Sequence, residues 1–435
     1  RRELVESGKL DLPTILDAAS PEARVAIERH LQRFAGAAPP GGKAPEPDHV
    51  DNALAAVRAR NDQRPQPVAP LPVDDSAARE QRRLEQLEKL RQRDAAGLLS
   101  PIASGLAWLA LHQADDGEVS DDAAAARCTY LGHTLCTSQG AAQKGQFRLA
   151  ATALAVLAWL DFRDQDLREL FEPSLSLGVS WLRKQMRADG SFERSGYEAA
   201  IATMALGQAL RATRSADLKK DVERGMKFVA AKQSADGGYR YSWGETGDLS
   251  AAGWFVQAYE QARDAGATVP ATLAPGLERF VRGVWAGGPK FRYVASDPRE
   301  RGSLSAVGML SLQILAPAEA EKQRDVWVAA LAESAGRGRA DLYATYYEVR
   351  SELALQGFLS EGRQALLLDL PRSMQRTDPT GAGMFAPVTV RPPAPVKKGQ
   401  KPPPTWSGLG MIERGGRCVG TAFGVLTMEH ALYRR

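Results

Sequence analysis

The chain has 435 residues, 44% hydrophobic and 25% charged, with a formal net charge of +4 and both signs mixed along it. Such a composition suits a globular protein with one or two sizeable cores. It shows no basic footprint for nucleic acid, no apolar run near the ~20 residues that span a bilayer, and with 3 cysteines no disulfide framework.

Residues 1–36 read as a small helical segment. Ser20-Pro21-Glu22 is its start signal, with a capping hydroxyl, proline at the first helical position and an acid in the first turn. Residues 37–75 are rich in proline and alanine and read as a linker, with a short helix at 50–60, because they bury too little apolar surface to offset chain entropy. Residues 76–97 read as a charged helix with Leu84, Leu87 and Leu90 on one side. The chain opens on Arg1-Arg2 rather than Met, which leaves room for an upstream targeting segment or membrane tether. The compartment stays open between cytoplasmic and membrane-tethered.

From residue 98 onward one unit recurs. Its clearest copy is 225–264: an apolar helical stripe at Met226, Phe228 and Val229, a stop at Ser234-Ala235-Asp236-Gly237-Gly238, then a second helix with Ala251, Trp254, Phe255, Ala258 and Tyr259 on it. The first half returns at 104–119, 177–192 and 275–291. Each copy has a Gly, two residues, an aromatic, an aliphatic, usually a Gln, then a glycine turn and a hydrophobe. Gln113 and Gln233 share one offset from the aromatic, Gln185 is one residue early, and Trp285 takes the place in the fourth copy. A period near 50 residues marks a repeat architecture.

The helices expected from 98 onward alternate in type. Polar-faced ones fall at 100–113, 173–187, 216–233, 271–285, 319–335 and 358–376. Apolar ones rich in small residues fall at 147–160, 197–212, 248–264, 302–315, 340–356 and 418–433. Two long connections, 114–146 and 377–417, read as loops; the second carries VRPPAPVKKGQKPPP, which fits neither helix nor central strand.

These repeats resemble those of the terpenoid cyclase and protein prenyltransferase superfamily, which includes squalene-hopene-type cyclases. The resemblance covers roughly 98–435 and implies an all-α fold, an (α/α)6 toroid of six helical hairpins. It also implies that the repeat Gln caps a neighbouring helix, and that the cavity mouth lies where the inner helices begin.

The family's chemistry is harder to find. A class II cyclase uses the middle Asp of an Asp-x-Asp-Asp motif to protonate an alkene. Asp74-Asp75, Asp115-Asp116 and Asp121-Asp122 lack the preceding Asp, and all three read as solvated carboxylates in loops or linker. In prenyltransferase β subunits an Asp, a Cys two residues later and a distant His bind zinc. The similar segment here has Asp248 and Ser250, and Gly420 stands in the place of the His. Ser is a poor zinc ligand and Gly is none, so no zinc and no other cofactor is expected. Asp248 is the one candidate catalytic acid, and a helix cap is the plainer reading of it.

Tyr197, Trp243, Ser250, Trp254, Tyr343, Tyr346, Tyr347 and Cys418 are the candidate ligand-binding residues, an aromatic lining suited to an apolar chain; ordinary aromatic core is the plainer reading. The expected function is binding of an isoprenoid-like or lipid ligand, without class II cyclase or zinc prenyltransferase activity. The alternatives are a non-catalytic module that binds a protein partner, and a divergent squalene-type cyclase. Cys128, His133 and Cys136 lie close in sequence and leave free thiols, a local disulfide or a metal site open.

Overall fold

Three turns share one set of bonds, and the sequence explains each. In the first, Ala114 N donates to Glu118 O, Gly117 N to Ala114 O, and Glu118 N to Asp116 Oδ1. Arg187, Asp189, Gly190 and Ser191 repeat the pattern, as do Ser234, Asp236, Gly237 and Gly238. The aspartate closes the turn on the amide two residues ahead. The glycine between them takes a left-handed φ of 103° at Gly117, 87° at Gly190 and 88° at Gly237, a region costly for residues with a Cβ. The hydrophobe that follows each turn, Val119, Phe192 or Tyr239, is buried.

The computed structural model describes residues 54–61, 99–130, 147–192, 196–299, 302–336, 342–374 and 410–433. The helices are α1 Leu99–His112, α2 Asp121–Tyr130, α3 Arg148–Asp161, α4 Gln165–Gln185, α5 Gly196–Thr213, α6 Ala216–Ala231, α7 Leu249–Asp264 and α8 Leu273–Val284. A small antiparallel hairpin follows, β1 Trp285–Gly287 and β2 Lys290–Phe291, with Trp285 opposite Phe291. Then come α9 Gly302–Leu315, α10 Pro317–Lys322, α11 Arg324–Gly336, α12 Leu342–Gln356, α13 Glu361–Met374 and α14 Gly410–Tyr433. The class is all-α, as expected; the hairpin is the only sheet among the described residues.

Two helix types are evident from burial. In α3 every residue from Leu149 to Asp161 is buried, as are nearly all of α5. In α8 the buried set is Leu273, Gly276, Leu277, Phe280, Val281 and Val284, a single stripe. The fully buried type packs in sequence: α3 on α5, α5 on α7, α7 on α9, α9 on α12, α12 on α14, and α14 back on α3. The striped helices lie across this cycle, α4 against α3 and α5, α6 against α5 and α7, α8 against α7 and α9, α13 against α14.

The recurrent Gly and Gln of the sequence motif meet between copies. Gln113 Nε2 donates to its own turn at Gly117 O (3.0 Å) and to Ser174 O of α4 (2.9 Å). Gln233 Nε2 does the same with Gly237 O (2.8 Å) and Leu273 O of α8 (3.1 Å). A Cβ on Gly276 would lie 2.4 Å from the Gln233 amide, so this glycine makes room for the glutamine of the copy before it. In the second copy Met186, not Gln185, fills the slot and approaches Gly225; there Arg183 bridges to Asp221 of α6 at 2.6 Å. In the fourth, the indoles of Trp285 and Trp327 both donate to Gly288 O (2.9 and 2.8 Å).

Several expectations need correction. The connection 114–146 contains α2, whose start is capped by Ser120 Oγ accepting from Ala123 N; Asp121-Asp122 therefore opens a helix rather than sitting in a loop. The helix expected at 319–335 is split at Gln323 into α10 and α11. α4 begins at Gln165, ahead of Pro173, and α14 begins at Gly410. The short helix expected at 50–60 inside the linker is present at 54–61, with Leu54, Val57 and Ala59 buried. Arg60 donates to Ala110 O, Leu111 O and Gln113 O at the end of α1. The 1–36 segment, the charged helix at 76–97, His133, Cys136 and the proline-rich run after residue 390 lie outside the described residues.

The inter-copy joint can be tested by urea unfolding. Gln233→Ala removes two bonds to backbone carbonyls and should cost about 1 kcal/mol. Gly266→Ala, at φ 76° with nothing within 4 Å of a new Cβ, should cost only the left-handed strain. Gly237→Ala places a Cβ 2.0 Å from Gly276 O and should cost clearly more, by about 1–3 kcal/mol. Equal costs for the two glycine variants would show that the joint is not tight.

Candidate functional site

The start of α7 is held from two sides. Asp248 N donates to Tyr239 O (2.9 Å) and Leu249 N to Tyr293 O (2.9 Å), so the loops 239–248 and 291–299 both end on it. Asp236 Oδ2 accepts from Gly247 N at 2.9 Å and ties the repeat turn to the same loop. Asp248 is fully buried. Its Oδ1 caps the helix by accepting from Ala251 N (2.8 Å) and also accepts from Ser250 Oγ (2.6 Å).

Tyrosines surround this cap. Tyr241 hydroxyl is 3.3 Å from Ser250 Oγ, Tyr343 donates to Ser250 O at 3.3 Å, and the Tyr293 hydroxyl stands beside Asp248. Burial pushes the Asp248 carboxyl above its ordinary range, opposed by the bonds from Ser250, Ala251 and Tyr293 and by Arg240. Burial, then Asp248 and Tyr241, raise Tyr293; burial, then Tyr347, Tyr241 and Asp248, raise Tyr343. Tyr293 and Tyr343 are therefore neutral at physiological pH.

Deeper in, Trp254 of α7 faces helices that are not its neighbours in the packing cycle. Its ring stacks on Tyr346 (centroids 6.0 Å) and meets Tyr347 (5.7 Å) edge-on and Tyr343 (6.4 Å), all on α12, and Phe423 of α14 (5.9 Å). In the order of packing α14 is three places from α7, so these rings meet across the interior between non-adjacent helices. Below them is a polar layer. Gln257 Nε2 donates to Tyr347 hydroxyl (2.8 Å), and Gln257 Oε1 accepts from Tyr346 (2.8 Å) and Arg350. Arg350 also donates to Glu260 (2.9 Å). Burial works against the Arg350 charge, but Tyr346 and Glu260 outweigh it and its pKa is raised. Arg363, fully buried, binds Glu348, Glu352 and Leu331 O in the same manner between α11, α12 and α13.

The structure therefore brings together Asp248, Ser250 and Tyr343 at the helix start, and Trp254, Tyr346 and Tyr347 in the interior. Trp243 stands apart: it packs on Phe228, Tyr239 and Phe255, within the α6–α7 hairpin. Tyr197 packs on Phe147 and Tyr241 at the starts of α3 and α5. Cys418 is buried, and its amide donates to Asp121 Oδ1 of α2. Among the described residues no group of His, Cys, Asp and Glu is placed to hold a metal ion. Tyr241, Tyr293, Gln257, Glu260, Arg350 and Phe423 were not singled out from sequence. A usable signal existed for one of them: Arg350 is a charge inside a helix of the buried type. No protein-family model matches the chain, and no curated protein matches it in sequence.

The Asp248 cap predicts a specific pH dependence. A carboxyl whose folded pKa is raised adds stability at low pH that is lost as pH rises through the folded value. Asp248→Asn keeps a good cap and should flatten that fall. Asp248→Ala loses the cap and should cost a further ~1 kcal/mol at every pH. Unfolding curves for both variants between pH 4 and 8 would decide; identical curves would show that the side chain caps nothing.

Proposed function

We propose that residues 98–435 form an (α/α)6 toroid that serves as a non-catalytic protein-interaction module. The cyclic order of six buried helices, each crossed by striped ones, supports the toroid. The observation that carries the functional reading is the packing of Trp254 against Phe423 and Tyr346 across the interior. An elongated apolar ligand would have to part rings that are in mutual contact there. The candidate acid is committed as well, since Asp248 caps α7 and accepts from Ser250, with no second carboxylate bonded to it to tune a proton for an alkene.

The contact face is the one at the start of the inner helices. Loop 239–248 reads YRYSWGETGD, a mixture of tyrosine, serine and glycine that combines broad rigid contact area with adaptable hydrogen bonding. Tyr241 is 47% exposed although it is held against Tyr197 and Ser250, so an ordered aromatic is presented to solvent. The neighbouring Arg240–Glu245 ion pair (3.4 Å) gives the same loop charges of both signs.

A photo-crosslinking residue in place of Tyr241, in the native host, tests the reading. A discrete protein adduct that disappears when the probe is moved to the exposed Lys220 on α6 is the expected outcome. Lipid extraction of the purified protein should return no stoichiometric isoprenoid, and squalene or polyprenyl diphosphates should be left unchanged. A co-purifying isoprenoid would restore the apolar-ligand reading, and a cyclised product lost in Asp248→Asn would establish an enzyme.

A further inference from the structure

The cycle of buried helices closes where α14, last in the chain, meets α3, the first. Glu429 lies at this contact. It is 1% exposed, and neither carboxyl oxygen has a hydrogen-bond partner. Its electrostatic neighbours are Asp161, the last residue of α3, and the exposed Arg163 just beyond it. Asp161 is itself buried, and its Oδ1 accepts from Gln208 Nε2 of α5 at 2.6 Å.

We propose that the α14–α3 contact is a proton-controlled clasp, closed while Glu429 carries a proton and loosened when it ionises. The reason is electrostatic. A carboxylate without hydrogen bonds, taken out of water beside a second acid, is strongly disfavoured, so the closed contact tolerates only the neutral form.

Among the described residues, the charged and titratable groups that face α14 are engaged elsewhere or exposed. His430, next in sequence, has Nδ1 on Leu426 O at 2.8 Å and stands 3.7 Å from Asp161 Oδ2, so it serves the other acid. From α12, Arg350 is bonded to Gln257, Tyr346 and Glu260, and Glu348 and Glu352 are bonded to Arg363 of α13. From α1, His112 Nδ1 is bonded to Trp108 O. From α2, Asp121 meets α14 at Cys418, toward the other end, and Asp122 is exposed. Glu361 of α13 is exposed as well. Burial first, and Asp161 second, therefore raise the Glu429 pKa well above 4.5, against the pull of Arg163.

The sign follows from linkage. A raised folded pKa means that the closed state holds the proton longer, so closure is strongest below the ordinary carboxyl value and weakens as pH rises toward the folded one. One proton limits the effect to about tenfold in the opening equilibrium per pH unit.

Hydrogen–deuterium exchange of the whole chain between pH 5 and 8, corrected for intrinsic exchange rates, provides the test. Protection of α3 and α14 amides should fall with pH, up to about tenfold per unit, while amides of α6 and α8 change less. Glu429→Gln should hold α3 and α14 protection level across the range. Glu429→Met, of similar volume, should do the same and covers the case in which the amide variant fails to fold. Flat protection in the unaltered protein overturns the proposal, and so does an unchanged pH slope in either variant.

Discussion

A missing Cβ sets how the hairpins join. Gly237 turns left-handed with its α-carbon pressed toward Gly276 O, and Gly117 and Gly190 approach Leu177 O and Arg224 O in the same way. The contact is backbone on backbone, so it leaves no play for a side chain to absorb. Once it is made, the buried hydrophobe after the turn and the start of the next striped helix are fixed together. The amide of Gln113 or Gln233 then spans the joint and satisfies a carbonyl on each side. Where the glutamine is absent, other chemistry takes over: an Arg183–Asp221 pair in one copy, two indoles on Gly288 O in another.

With the joints fixed, the small residues of α3, α5 and α7 allow close helix approach, and what fills the middle is decided by size. Trp254, Tyr346, Tyr347 and Phe423 form an aromatic layer, and Gln257, Arg350 and Glu260 a polar layer beneath it. Arg350 is tolerated because buried Gln257 and Tyr346 and half-buried Glu260 all bond to it. Glu429 has no such set of partners: neither of its carboxyl oxygens is hydrogen-bonded. At the helix starts, by contrast, Tyr241 is held against Tyr197 and Ser250 and is still 47% exposed.

The helix alternation from residue 98 was legible because burial leaves a periodic trace. A helix covered on all sides, such as α3, reads as apolar throughout, and one covered on a single side, such as α8, reads as a stripe. The cap at Asp248 was legible for a similar reason, since an acid ahead of an apolar run has a local use. The breaks were not. α2 carries almost no apolar signal, and its start depends on Ser120 and on contact with α14. The short 54–61 helix was expected, but its anchor was not: Arg60 on the carbonyls of α1, more than fifty residues away in sequence.

Sequence alone determined the repeat, the turn residues and the class, because these rest on contacts within a few residues of one another. It also named most of the aromatic residues that matter. Only the tertiary structure decided what they do. Trp243 and Trp254 look alike in sequence, yet one packs within its own hairpin and the other reaches across to α12 and α14. Helical periodicity sets which face a residue occupies, but not which distant helix that face meets. Whether an aromatic lines an open space or fills it therefore depends on partners such as Tyr346 and Phe423, far along the chain.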